Sequence, residues 1–210
     1  MNHLLSTTAL MYRVSLATLP LLLVMASVHW FWPLQAIICG CIAHGCEWLW
    51  RARKTKAHFA APVAWHLDGA GFLAGLLLGL CLPPACPWWL LLAGPALTIG
   101  VKQLYGGLGQ NPFNPAMVAY LVLFIGQPLV MTDWQPLIAQ VDAQSGATLL
   151  DRTAKPLLTI ERAWHNPLWQ FQLWLSLAAT IGGGYLLWRG IIRWHLPVSM
   201  LASFSLVSFV

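Results

Sequence analysis

The fold class that this 210-residue sequence predicts is an all-α membrane protein, a polytopic helical bundle. Three observations predict it. Hydrophobic residues make up 59% of the chain and charged ones 8%, at a mean hydropathy of +0.68, whereas a soluble domain carries about a quarter charged residues. The apolar residues gather into successive runs close to the roughly 20 residues that cross a hydrocarbon core. The Lys and Arg between those runs sort unevenly onto two faces. Fourteen prolines and seventeen glycines further exclude a bundle of unbroken helices.

Residues 14–31 and 34–50 form the first two runs, separated at Trp32-Pro33. The first is too long for a cleavable signal peptide, and no small-x-small site precedes the next span. A third run covers about 67–82 and stops at Pro83-Pro84. A fourth covers 87–104, and a fifth 115–131. After a polar loop a sixth spans 168–188, and a seventh starts near Pro197. The chain divides accordingly into a first five-span membrane unit over 1–131, an external loop over 132–166 and the start of a second unit over 167–210.

Arg13, Arg51, Arg53, Lys54, Lys56, Lys102, Arg189 and Arg193 fall on one face if the spans alternate. Arg152, Lys155 and Arg162 share the 132–166 loop with four acidic residues. This split predicts a cytoplasmic N-terminus and an external loop. Trp30, Trp32, Trp48, Trp50, Trp88, Trp89, Trp188 and Trp194 lie at the predicted span ends, where an amphipathic ring suits the headgroup layer.

The formal charge of +5 does not indicate nucleic acid, because the basic residues form no stripe. Cys39, Cys41, Cys46, Cys81 and Cys86 read as small buried hydrophobes rather than metal ligands. Cys39 and Cys41 have the wrong spacing for a zinc knuckle. His44 and Glu47, three apart on one helix face, read as polar groups near the interface. Asp68 and Lys102 lie near span ends and are read either as snorkelling charges or as part of a buried ion route.

Between the fourth and fifth runs lies KQLYGGLGQNPFNPA, from Lys102 to Ala116. Its three glycines and two Asn-Pro pairs break a helix, giving a re-entrant or broken element over 103–115. Irregular backbone at membrane depth survives where protein buries it or where it lines a polar cavity. Gly107, Gly109, Asn111 and Asn114 are the candidate lining of such a cavity, which would suit an anionic or polar ligand. A tight glycine turn on the cytoplasmic surface is the alternative. The segment lacks the Gly-Lys-Ser/Thr of a phosphate loop.

The external loop contains DAQSGATLLD, residues 142–151. It presents the Thr148 hydroxyl beside Gly146 and Ala147, with Asp142 and Ser145 upstream. No His or Cys stands nearby in sequence to activate Thr148 as a nucleophile, so another protein would have to drive any modification.

The Lys102–Met117 segment resembles the D subunits of the Rnf (Rsx) ion-translocating oxidoreductase complexes. It is more distantly similar to the B subunits of sodium-pumping NADH:quinone reductases. The likeness continues through LPPACPWW at 82–89, PLVMTDW at 128–134 and IRWHLP at 192–197, over nearly the whole chain. The resemblance implies a bacterial inner-membrane subunit of an electron-transport translocase. It would carry covalent FMN, joined through its phosphate to Thr148. A flavin transferase reads an Asp-x-x-Ser/Thr-x-Ala-Thr/Ser motif, which Asp142, Ser145, Ala147 and Thr148 match, and it acts on the periplasmic side. Other subunits of the complex and membrane lipid are the implied partners.

The resemblance also implies a urea-transporter-like fold of two inverted five-span repeats, here with the first complete and the second partial. A second, non-covalent flavin, such as riboflavin, is expected near Asp68 and the glycine break. Two departures stand out. Relatives are longer, so the chain is expected to be truncated at its C-terminus. Relatives also tend to carry hydroxyl residues where Ala70 and Ala74 stand. The competing functions are a non-redox small-solute channel on the same bundle and a non-functional truncated copy.

Overall fold

The structure is a computed structural model that describes residues 6–54, 69–84, 86–104, 106, 109–133, 167–195 and 199. Among these residues the regular elements are all helical: α1 (Thr7–Ala17), α2 (Leu19–Val28), α3 (Phe31–Lys54), α4 (Ala70–Cys81), α5 (Trp88–Leu104), α6 (Pro115–Gly126), α7 (Pro128–Met131) and α8 (Pro167–Trp188).

The Ser6 side chain opens α1 by accepting from the Ala9 N–H. Thr18 interrupts the helix, its hydroxyl donating to the Ser15 carbonyl at 2.7 Å, and Pro20 then stands in the first turn of α2, where a missing N–H costs nothing. Together the two form one stretch, Thr7–Val28, of 22 residues and mean hydropathy 1.8. It is long and apolar enough to cross a membrane.

The boundary between the first two runs lies at His29-Trp30, earlier than the predicted Trp32-Pro33. Pro33 is absorbed into the opening turn of α3, for the same reason that α2 accepts Pro20. Helix α3 then runs 24 residues to Lys54, and Arg51 and Arg53 suit the partial negative charge at its end.

Helices α4 and α6 are shorter than expected, at 12 residues each, or about 18 Å at ~1.5 Å per residue. Gly69 (φ +75°) precedes α4, and Leu82-Pro83-Pro84 ends it. The fifth predicted run splits at Gln127, where α6 stops and Pro128 starts the single turn α7. Helix α5 carries Pro95 in its interior, which removes one backbone bond there.

Helix α3 is the hub, packing along α4 and also on α5 and α2. Glycines on α4 set its approach. A methyl at Gly75 would overlap the Cys39 carbonyl oxygen, and one at Gly79 would stand 2.5 Å from Ala36 Cα. Close backbone contact of this kind lets membrane helices pack without a hydrophobic driving force. Helix α8 rests on α1 and α2, with Gly182 against the Ala17 carbonyl. The main apolar cluster joins Cys39, Leu82, Cys86, Leu90, Leu91, Leu123 and Met131.

Two expectations need correction. Cys39 and Cys86 are buried, but Cys41 and Cys81 are exposed on their helices. The interfacial reading of tryptophan suits Trp30, Trp88, Trp188 and Trp194, each at least 70% exposed. It fails for Trp32, which is buried with its indole N–H donating to the Leu82 carbonyl.

Candidate functional site

Lys102 occupies the last turn of α5, after which the glycines turn the chain out of helical conformation. Gly106 (φ +96°) and Gly109 (φ +83°) adopt left-handed backbone, which a side chain would resist. Asn111 ties the break back to α5, its side-chain N–H donating to the Lys102 carbonyl at 3.4 Å. Asn114 then caps α6 by accepting from the Ala116 N–H at 3.1 Å, with Pro115 in the first turn.

These residues border an open hollow of about 320 Å³, together with Ala70 and Ala74 of α4. The volume lies at the lower end for small-ligand sites. Gly109, Gln110, Pro112, Phe113 and Asn114 of the break are themselves exposed. Gly109, Asn111 and Asn114 line the cavity together with Lys102, Pro112, Phe113 and Pro115. Gly107 lies outside the described residues, as do Asp68 and the loop residues Asp142, Ser145, Gly146, Ala147 and Thr148.

Behind the cavity stands a charge cluster that crosses the bundle. Glu47 on α3 is fully buried, and its Oε1 accepts from Lys102 Nζ at 2.7 Å and from Arg51 Nη2 at 2.9 Å. The Lys102 side chain is 4% exposed, whereas that of Arg51 is 41% exposed. The reading of Lys102 as a snorkelling charge is thus corrected, because its side chain is buried against Glu47. Each is buried because the other neutralises it, and a buried charge without a partner is costly. Arg51, one turn along α3 at the i+4 position, adds a solvent-screened second cation.

The other oxygen of Glu47, Oε2, is buried without a hydrogen-bond partner among the described residues. Gly71 makes room for it, since a methyl there would overlap that oxygen. A lone acidic residue inside a long apolar segment was the sequence signal for this site. Its weight became apparent only with the partner in place. The neighbouring His44 lines a separate hollow with Tyr12, Cys41 and Phe72.

The family model described as the NQR2, RnfD, RnfE family matches residues 1–210. The chain belongs to that family. It is 36% identical to the D subunit of the ion-translocating oxidoreductase complex of Cellvibrio japonicus (strain Ueda107), over 96% of this chain and 65% of that relative. The corresponding protein of Klebsiella pneumoniae (strain 342) is 34% identical over 95% of this chain and 68% of its own length. That of Alcanivorax borkumensis is 38% identical over 96% and 66%. The chain thus spans about two thirds of the length of these family members. Its helices, without strands among the described residues, accord with an all-α membrane protein.

Proposed function

We propose that the chain acts as a membrane subunit of a complex coupling electron transfer to ion translocation, and that it carries FMN attached through its phosphate to Thr148. The family match along the whole chain carries this reading, since the similar proteins are named as subunits of such complexes. The four-position agreement of Asp142, Ser145, Ala147 and Thr148 with the flavin-transfer motif supports the attachment site. When bound, FMN supplies the electron chemistry, while the chain supplies placement and electrostatics. The loop faces the periplasm of a bacterial inner membrane, where a flavin transferase reaches it, and the N-terminus lies in the cytoplasm. The helices form the first repeat of a urea-transporter-like inverted pair and the start of the second. Other subunits of the complex surround the bundle.

The cavity is read as the place of a second, non-covalent flavin. Its residues fit a planar ring with an amide edge. Its lining combines the polar residues Asn111, Asn114 and Lys102 with the small apolar Ala70 and Ala74. The hydroxyl residues expected of relatives at positions 70 and 74 are absent, so orientation of the ring falls to the asparagines and the lysine.

The test is in-gel flavin fluorescence after denaturation, with the chain co-expressed with a flavin transferase. A fluorescent band at the size of this chain is expected, and Thr148→Ala abolishes it. A dark wild-type band overturns covalent attachment, and a fluorescent Thr148→Ala band moves it to another residue.

A further inference from the structure

The seam between α1 and α8 ends in a group of cations that the electron-transfer role does not use. Phe171, near the start of α8, packs against Trp32, just past α2, with ring centroids 6.5 Å apart. Further along α8, a methyl added at Gly182 would overlap the Ala17 carbonyl oxygen, so the two backbones are close there. These two contacts set α8 antiparallel to α1 and α2.

Arg13 stands one turn before Ala17, on the same face of α1. Arg189 stands two turns after Gly182 and is still in helical register, since its N–H donates to the Tyr185 carbonyl at 3.0 Å. At about 1.5 Å per residue, Arg13 lies about 6 Å and Arg189 about 10 Å from the close approach, in the same direction. Two helices far apart in sequence therefore bring an arginine each to one end of one seam. We propose that this end binds the phosphate of an anionic phospholipid, with Arg13 and Arg189 as the cations that hold it.

The chemistry of Arg189 favours a phosphate. Its guanidinium carbon lies 5.1 Å from the Trp188 ring centroid and 5.8 Å from that of Tyr185. Rings against a guanidinium leave its N–H edge to an oxygen acceptor, and a phosphate matches that edge with two parallel bonds. Among the described residues no carboxylate pairs with Arg13, Arg189 or Arg193, whereas Glu47 is taken by Lys102 and Arg51.

The surroundings select a lipid as the source of that phosphate. Helix α8 has 22 residues, or about 33 Å at ~1.5 Å per residue, and it ends here after the length of a hydrocarbon core. Trp188 and Trp194, both exposed, flank the arginines as amphipathic rings do in a headgroup layer. Gly190 (φ +66°) turns the chain, with the Ile191 N–H donating back to the Leu186 carbonyl at 2.9 Å, so Arg193 stays within a few residues of the helix end. Leu16 on α1 and Leu177 and Ile181 on α8 are exposed on the core side of the arginines and offer apolar surface to acyl chains. The site requires a chain in a membrane but no flavin.

The experiment is native mass spectrometry of the full chain released from detergent, titrated with phosphatidylglycerol or with phosphatidylcholine of the same acyl chains. Phosphatidylglycerol is expected to bind at least about fivefold more tightly. Arg13→Gln and Arg189→Gln are each expected to cost about fivefold in its affinity, the scale of one basic residue at an anionic lipid surface. Arg53→Gln, which removes an exposed arginine at the end of α3, should leave the preference intact. Arg189 is exposed, so its substitution gives a reading even where Arg13→Gln does not fold.

Equal binding of the two lipids overturns the proposal. So does an Arg53→Gln loss equal to that of Arg189→Gln, which would mean general attraction to a positive chain. Inorganic phosphate that displaces the lipid at equal concentration would make free phosphate the ligand, and it also overturns the lipid site.

Discussion

Trp32 donates its indole N–H to the carbonyl of Leu82 at 3.1 Å, across 50 residues of sequence. Three residues further along α3, Gln35 donates to the Pro83 carbonyl at 3.0 Å. These two side chains satisfy backbone acceptors at the end of α4, where Pro83 and Pro84 cannot donate in return. Trp32→Phe and Gln35→Leu are each expected to lower stability by about 1–2 kcal/mol. Because the two bonds hold the same turn, the double variant should lose less than the sum. Thermal unfolding in detergent measures this, and two unchanged midpoints would show that the turn holds itself.

Gly75 and Gly79 bring α4 against α3, with no room for a methyl. Gly75→Ala and Gly79→Ala should each cost about 1–3 kcal/mol from overpacking. A methyl added at Gly100 on α5 would meet nothing within 4 Å, so Gly100→Ala should be neutral or stabilise by up to about 1 kcal/mol through helix propensity. The same thermal assay ranks the three. A Gly100→Ala loss equal to that of Gly75→Ala would refute the packing account.

Asn114 caps α6 at the edge of the cavity. Asn114→Ala is expected to cost about 1 kcal/mol, whereas Asn114→Asp or Asn114→Ser should keep most of the cap. Comparing all three by unfolding midpoint separates capping from any other role of the amide. Equal losses for the three substitutions would rule capping out.

Gly182 lies against the Ala17 carbonyl, where α8 meets the end of α1. Gly182→Val should force the two helices apart and cost several kcal/mol, about what overpacking with backbone displacement brings. Gly184, which has nothing within 4 Å, should tolerate alanine. A cysteine pair placed across the α1–α8 contact should cross-link in the parent and lose efficiency with Gly182→Val. Unchanged cross-linking would refute the close approach.

In the external loop, Thr148→Ser preserves a hydroxyl that the transfer motif accepts, so in-gel fluorescence should persist at reduced yield. Asp142→Ala removes the carboxylate that the transferase is proposed to read, and the band should fall to background. A bright Asp142→Ala band would show that the motif is not what directs attachment.

Much of the architecture was legible from composition and punctuation. The bounds of α5 and α8 lie within a residue of those read from hydropathy, because each helix is bracketed by residues that end helices whatever packs around them. Where the reading slipped, the cause was a proline. Pro33 and Pro128 sit in opening turns, and a sequence shows a proline without showing which side of a helix boundary it takes.

The candidate site divides in the same way. Gly109, Asn111 and Asn114 declared themselves through local backbone chemistry, since clustered glycines weaken a helix and two Asn-Pro steps in succession end it. Glu47 and Lys102 did not. Apolar runs, helix breaks and turn residues depend on each residue's own preference for oil, water or a dihedral angle, and the sequence alone determined these. The partnership of Glu47 with Lys102, 55 residues apart, and the room that Gly71 leaves for the carboxylate depend on distances between helices. Only the packing of α3, α4 and α5 decides whether each charge is buried with a partner, and so only the tertiary structure joined two charges read separately into one buried pair.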